Sequence, residues 1–300
     1  MGQALAICAH KNLLTTMHRD GVKIFFVIYD LLPVTMPECF PCGTEQAHST
    51  WLQILGEFDG AFCISQTVAD ELAKYFQEHP SKFPDSFKTN WFHLGADIDN
   101  SFPSFGMPED AGYVLEELAK RPTFAMIGTI EPRKGHIQAL GAFEHIWERG
   151  VDVNLVIVGF EGWHMETLIK RMRKHPEWNK RLFWLKGISD EYLNKIYAAS
   201  NCLIAASQGE GFGLPLIESA QHKLPIIARD IPVFREVAGE HAFYFEGSEE
   251  AVLGDTIEQW LDLFKHDKAP KSDEMPWFTW KESAEQLRQG LLNNIKQGKK

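Results

Sequence analysis

Apolar residues in this chain gather in short runs that recur at the spacing of an alternating α/β protein. Beyond residue 122 the runs fall at 123–127, 153–158, 182–185, 202–206, 225–228 and 242–245, with helical patterns between them. Runs this short and this apolar predict strands. Six of them alternating with helices predict a complete doubly wound domain. The earlier part of the chain repeats the pattern less fully. Residues 23–29 (KIFFVIY) predict a strand covered on both faces, and 61–64 and 90–94 predict two more. A weak helical period over 4–19 stops at Asp20-Gly21, and helices are predicted at 45–58 and at 68–76, the latter capped by Ser65. Three strands make only part of a domain, so the chain is expected to lack the start of a longer N-terminal domain. Prolines at 103, 108 and 122 with glycines at 106 and 112 mark a change of composition. The expected organisation is therefore a partial N-terminal α/β domain at 1–102, a linker at 103–122, a complete α/β domain at 123–270, and a C-terminal segment at 271–300. The amphipathic helix predicted at 277–292 in that last segment is expected to pack back on the N-terminal domain.

Composition narrows the function classes. A 300-residue chain with 44% hydrophobic content has enough apolar surface for one large or two medium domains. It contains no run of eighteen apolar residues and no leader-like N-terminus, so a cytoplasmic location is the default expectation. A formal charge of −11 disfavours a nucleic-acid partner held by phosphate contacts, and it disfavours binding to anionic lipid over the whole surface. A local basic patch stays open. Five scattered cysteines do not form a disulfide framework. Cys39 and Cys42 make one C-x-x-C between Pro37 and Pro41, but nothing completes a zinc set, and no metal site is expected.

Candidate chemistry concentrates at predicted strand ends. After the run at 202–206 comes SQGEGFGLPLIESA at 207–220, which reads as a strand, a glycine-rich turn and a helix start. Gly209, Gly211 and Gly213 allow close backbone approach to a ligand, and a helix beginning near Leu214 presents free N–H groups and the positive end of its dipole. Glu210 and Glu218 flank the turn and suit the hydroxyls of a sugar nucleotide better than its phosphates. Alone, the stretch fits an ordinary α/β connection equally well. Asp30 follows the first predicted strand, where open α/β sheets place ligands; an Asx-type turn fits it as well. His93 fits a packed or turn histidine better than a catalytic one. GTIEPRKG at 128–135 ends another strand, and its adjacent Arg133 and Lys134 suit a diphosphate, the guanidinium by a forked contact and the ammonium as a point charge. Taken alone this is a solvated basic turn. Two phosphate-compatible turns on one sheet edge argue for a ligand site.

The pairing of GTIEPRKG with EGFGLPLIE resembles the donor-binding domain of retaining, nucleotide-sugar-dependent glycosyltransferases of group 1 (family 4), which have the GT-B fold of two Rossmann-like domains facing a cleft. VGFEGW at 158–163, GISDEYL at 187–193 and PVFREV at 232–237 agree with it. More weakly, YDLLP at 29–33, Ser65-Gln66 and HLGAD at 93–97 resemble N-domain segments of bacterial surface-polysaccharide mannosyltransferases. Many relatives carry histidine where this chain has Tyr29, which leaves Asp30 the better catalytic candidate. The family's glycine-rich loop after its first N-domain strand has no match before Lys23.

The resemblance implies that Glu210 bonds the donor sugar, Glu218 the ribose, and Arg133 and Lys134 the diphosphate. Gly128 and the backbone of Gly211, Phe212, Gly213 and Leu214 would lie at sugar and phosphate, and Lys186, Gly187 and Ile188 at the nucleobase. It implies transfer of a sugar, mannose from GDP-mannose as the leading choice, to a glycan or lipid-linked acceptor with retention. No cofactor or metal is expected. The implied setting, as in bacterial surface-polysaccharide synthesis such as that of lipopolysaccharide, is cytoplasmic, with peripheral attachment to the inner membrane or to a polypeptide supplying the missing N-terminal portion. Two alternatives stay open: a truncated sugar-nucleotide-binding protein without turnover, and another GT-B enzyme such as a sugar-nucleotide epimerase or a glycan phosphorylase, although no pyridoxal-lysine motif is found for the last.

Overall fold

The computed structural model describes residues 2–79, 87–97 and 103–297. The chain divides into two compact units. Met1–Asp97, Glu210–Phe212 and Phe278–Lys300 form the first, and Ile98–Gly209 with Gly213–Trp277 form the second. The expected end of the first domain at 102 lies outside the described residues.

The first unit runs α1 (Gly2–Ala9), α2 (Lys11–Arg19), β1 (Phe25–Ile28), α3 (Leu32–Thr35), α4 (Thr44–Leu55), β2 (Gly60–Cys63), α5 (Gln66–Glu78) and β3 (Lys88–Trp91). Its three strands are parallel in the order β1-β2-β3. Burial in β1 alternates: Phe26 and Ile28 face a core with Trp51, Leu52 and Leu72, while Phe25 and Val27 are half-buried. The continuous apolar run had predicted equal cover on both faces. Its other face is more lightly covered, because what lies there is aromatic edge packing, with Phe25 5.8 Å from Phe62. The third strand pairs three polar residues, Lys88, Thr89 and Asn90, with β2, two positions earlier than the apolar stretch 90–94 suggested. The absence of a side chain at Gly60 admits this pairing, since a Cβ there would collide with the Lys88 carbonyl. The cap on α5 forms as the sequence predicts, with Ser65 Oγ accepting from the Val68 N–H at 3.1 Å.

The second unit runs α6 (Ala111–Ala119), β4 (Thr123–Ile127), α7 (His136–Glu148), β5 (Asn154–Val158), α8 (Glu166–Arg173), β6 (Leu182–Leu185), α9 (Asp190–Ala199), β7 (Cys202–Ala205), α10 (Leu214–Gln221), β8 (Ile226–Arg229), α11 (Pro232–Ala238), β9 (Phe243–Phe245) and α12 (Glu250–Lys265). Its strands form one parallel sheet in the order β6-β5-β4-β7-β8-β9, the doubly wound arrangement expected from the apolar runs. Successive residues alternate between two cores. Phe124, Met126, Leu155 and Ile157 pack with α7, α8 and α12, whereas Ala125, Val156 and Val158 pack with α6 and α9.

The stretch 103–122 is not a linker. Val114 and Leu118 of α6 seal the second core, and the proline- and glycine-containing strand of chain before it docks on the start of α9. There Asp190 accepts from the Ser104 N–H at 2.7 Å, Glu191 accepts from the Gly106 N–H at 2.9 Å, and the Ser189 hydroxyl donates to the Gly106 carbonyl at 2.6 Å. Composition marked a boundary there because an extended strap uses the same residues as a flexible one.

After the second unit, α13 (Trp280–Gln297) belongs to the first, starting three residues later than its amphipathic pattern suggested. Gly290 lets it lie close over Phe62, whose ring sits where a side chain at 290 would go. Gly95 likewise abuts the backbone of Thr279 and Trp280.

One side chain of the first unit is held against its chemistry. Glu71 on α5 has a buried carboxyl oxygen that makes no hydrogen bond among the described residues. Burial, with the charge of Asp30 adding and that of Lys74 opposing, pushes its pKa up to about 7. The unfolded chain therefore ionises Glu71 at lower pH than the folded one, and its contribution to stability falls as pH rises from the ordinary glutamate range to about 7. Glu71→Gln is expected to remove that loss, raising stability relative to wild type by on the order of 1 to 2 kcal/mol at pH 8 after allowance for partial solvation, and by little at pH 5. Calorimetric melting at the two pH values checks this.

Candidate functional site

The sheet order of the second unit fixes where a site can form. Connections leave β4 and β7 in opposite directions, so the loops at their C-terminal ends diverge and open a crevice at this switch point. The two glycine-bearing motifs follow those two strands. They are tied together there: the Gln208 N–H donates to the Arg133 carbonyl at 2.7 Å, and the Arg133 guanidinium donates to the Gly209 carbonyl at 3.0 Å. Gly135, at φ +75, sits where a Cβ would collide with the Ala206 carbonyl. Only glycine meets both the conformation and the space.

Arg133 and Lys134 lie in one turn of 3-10 helix, Pro132–Lys134, ahead of α7. Both are half-buried. Arg133 also pairs with Glu131 at 3.2 Å, so part of its donor capacity is committed to holding the turn. A Cβ on Gly128 would stand 3.9 Å from the Lys134 Nζ, which places the ammonium beside bare backbone at the end of β4. Directly behind, His136 is fully buried with both ring nitrogens unbonded among the described residues, and burial with the Lys134 charge drives its pKa down to about 3. It is neutral. The positive charge of the turn is therefore carried by Arg133 and Lys134.

Helix α10 starts at Leu214 directly behind Gly213, with Leu216 and Ile217 anchoring it in the core. Glu218 lies one turn further on. Its Oε2 accepts from the Tyr197 hydroxyl at 2.8 Å, and the Tyr197 ring stacks on His222 at 4.5 Å. Burial raises the Glu218 pKa, the Tyr197 hydroxyl opposes that, and Asp190 adds to it. Sequence reasoning missed Tyr197, which lies 21 positions from Glu218 with no motif to join them. At the end of β6, Lys186 is exposed and stands 5.9 Å over the ring of Phe160, which also packs 3.1 Å from the place of a Cβ on Gly187; Ile188 is half-buried. Phe160 was missed as well. Its signal was available, as a large aromatic between two glycines at a strand end, and it is 58% exposed.

The remaining sequence candidates belong to the first unit, where Glu210–Phe212 are grouped with Asp30. Asp30 Oδ1 accepts from the Leu32 N–H at 3.1 Å, the Asx-type turn that its position after a strand allows. Gly211 passes so close that a Cβ would collide with the Tyr29 carbonyl and lie 3.3 Å from the Asp30 Cβ. Ser65, besides capping α5, donates its hydroxyl to the Gly211 carbonyl at 2.8 Å. Glu210 is half-buried and Tyr29 is 51% exposed. Phe212 is buried against His93, ring centroids 5.2 Å apart, and Trp91 and Phe278 complete an aromatic cluster about that histidine. His93 is a packed residue. The structure thus assembles Asp30 with Gly211 in the first unit, and Gly128, Arg133 and Lys134 with the glycine turn in the second.

None of the five cysteines, Cys39 and Cys42 among them, is held in a disulfide. Among the described residues no three side chains converge as a metal-ligand set, and no helix is long and apolar enough to cross a membrane.

Known proteins resemble this chain at two levels. The serotype-specific mannosyltransferase WbdA of Escherichia coli is 48% identical over 280 residues, which is 92% of this chain and 34% of WbdA. The chain thus spans about a third of the length of the curated relatives it matches. Among solved structures, Anabaena HepE in complex with UDP and glucose superposes with a TM-score of 0.69 at 15% identity, covering 92% of this chain and 73% of that one. The catalytic domain of starch synthase IV from Arabidopsis thaliana, bound to ADP and acarbose, gives 0.68 at 17% identity over 98% of this chain and 71% of its own. These structural likenesses show the GT-B fold. Residues 114–273 match the family described as glycosyl transferases group 1, and with the identity to WbdA this shows that the chain belongs to that family.

Proposed function

We propose that this chain binds GDP-mannose and, with the remainder of a longer polypeptide or a partner supplying it, transfers mannose to a glycan or lipid-linked acceptor with retention. The observation that carries the reading is the 48% identity to a mannosyltransferase across 92% of the chain. The switch-point crevice supports it independently, because its two walls offer the chemistry that a nucleoside diphosphate sugar needs. Lys134 beside bare backbone at Gly128 and the Arg133 guanidinium face the diphosphate, and they stabilise the negative charge that grows on it as the anomeric C–O bond breaks. The α10 N-terminus adds its dipole. Glu218, turned by Tyr197, accepts ribose hydroxyls with its other oxygen, and Glu210 accepts from the sugar. Lys186, Gly187 and Ile188 border the base. The acceptor oxygen bonds to the anomeric carbon from the same face the diphosphate leaves, and its proton passes to the departing phosphate. Asp30 orients that hydroxyl. Arg133 and Lys134 supply the charge neutralisation that a divalent cation gives elsewhere, so the reaction proceeds without a metal cofactor. The proposed setting is cytoplasmic, at the periphery of the inner membrane where lipid-linked acceptors lie.

Calorimetric titration of GDP-mannose tests this at its centre. Lys134→Ala and Glu210→Ala are each expected to weaken binding by about 1 to 3 kcal/mol, the range for a lost hydrogen bond to a charged group, and EDTA is expected to change nothing. Unaltered affinity in both variants would remove the site assignment, and no binding by wild type would remove the function. A second titration addresses Tyr197. Its hydroxyl favours ionised Glu218, the form that accepts from hydroxyls. Tyr197→Phe is therefore expected to move the acid limb of affinity against pH to higher pH, with little loss on the alkaline side. An unshifted limb would show that Tyr197 only packs.

A further inference from the structure

Phe160 follows β5 beside the switch-point crevice and takes no part in the proposed diphosphate and ribose contacts. A single exposed apolar side chain is ordinary on a protein surface, but this one stands on backbone fixed from both sides. The Ile130 N–H donates to the Phe160 carbonyl at 2.8 Å, and the Gly162 N–H donates back to the Ile130 carbonyl at 2.9 Å. From β6 the Trp184 indole N–H donates to the Gly159 carbonyl at 2.9 Å, while the Gly159 N–H donates to the Leu185 carbonyl at 3.0 Å. Gly159 also abuts the Gly128 carbonyl, so the ring is mounted one residue from the corner where the Lys134 ammonium lies.

The ring itself is 58% exposed. Gly187, at φ +64, lies at its tip, where a Cβ would stand 3.1 Å from the ring. Lys186 holds its ammonium 5.9 Å over the ring, and that ammonium makes neither an ion pair nor a hydrogen bond among the described residues. A rigidly mounted aromatic face takes a second flat ring, and a cation beside it takes an acceptor on that ring's edge. A nucleobase supplies both. The bases differ at this edge. Guanine offers two adjacent acceptors, O6 and N7; adenine puts an amino donor in place of O6, which an ammonium disfavours. A pyrimidine has less surface to stack.

We propose that Phe160 is the platform on which the nucleobase of the donor stacks, and that Lys186 selects guanine there by donating to its keto oxygen and ring nitrogen. The presence of a nucleotide rests on the proposed function; the choice of base rests on these two side chains. The base is thereby read by side chains of β5 and β6, apart from the turns after β4 and β7 that face the diphosphate.

The test titrates the full chain calorimetrically with GDP-mannose, GDP, ADP and UDP. Wild type is expected to bind GDP about tenfold tighter than ADP or UDP. Phe160→Leu keeps the apolar bulk but removes the aromatic face, and is expected to weaken GDP and GDP-mannose alike by about tenfold, the effect of one lost base stack. Phe160→Tyr restores the face and is expected to restore affinity. Lys186→Met is expected to narrow the preference for GDP over ADP to within about twofold while leaving ADP binding as in wild type. The guanine H8 resonance is expected to move upfield on binding to wild type and not on binding to Phe160→Leu, a readout that a merely structural role would not move. Equal GDP affinity in wild type and Phe160→Leu, or an unchanged base preference in Lys186→Met, would overturn the proposal and leave the donor reading standing. A loss in Phe160→Leu confined to GDP-mannose would place the sugar on the ring and overturn it as well. Failure of wild type to bind any of the four would instead remove the donor reading, and this proposal with it.

Discussion

The arrangement of the second unit turns on how one loop is held. The backbone after β7 is rich in glycine, and little of its own sequence would keep it in place. It is gripped from two sides. Arg133 bonds it through both its guanidinium and its carbonyl, at Gly209 and Gln208. From the sheet side Arg229, 7% exposed, donates to the Ala206 carbonyl at 3.1 Å and also to the Gly247 carbonyl and the Gln138 side chain. A buried guanidinium is tolerable when its N–H groups find oxygens, and the Ala206 and Gly247 carbonyls and the Gln138 amide oxygen serve here, with the charge of Glu249 nearby. Burial lowers the Arg229 pKa, but a guanidinium stays charged. The loops after β4 and β7 are thereby one rigid wall, and the groups on it are preorganised.

Much of this was legible in the sequence because apolar runs and strands have the same cause. All six runs of the second unit became strands of one sheet: β4, β5, β7 and β8 are buried over nearly all their length, while β6 and the edge strand β9 are covered only in part and still read as apolar runs. The first unit was harder to read. Lys88, Thr89 and Asn90 form a strand because β2 offers them hydrogen bonds, a tertiary cause that no local pattern records. The stretch 103–122 misled for a similar reason: its prolines and glycines follow an extended path against α9, and composition does not distinguish a docked strap from a free one.

The candidate site shows the same division. Residues joined by a motif were found, because close spacing in sequence and closeness in space coincide at a turn. Tyr197 and Phe160 were not, because the first reaches Glu218 from a different helix and the second is defined by its exposure. Ser65 was found for one of its two bonds. A cap is local, whereas its bond to the Gly211 carbonyl spans 146 positions.

The glycines of the motifs carry a further lesson about what such a match means. Read as phosphate-binding elements, they are small so that a ligand can come close. In the structure Gly135 is small because the Ala206 carbonyl occupies the place of its side chain, and Gly211 because the Tyr29 carbonyl does. Both are backbone-against-backbone contacts that exist without any ligand. Glycine at Gly211 is therefore required by packing within the first unit, and glycine at Gly135 by the packing that shapes the wall of the second unit beside Lys134. It follows that the spacing of the motif encodes the scaffold first and the site through it. A substitution at Gly135 or Gly211 would disturb the fold before it reached the ligand, whereas Lys134, which packs beside open backbone, is the position where chemistry can be separated from structure.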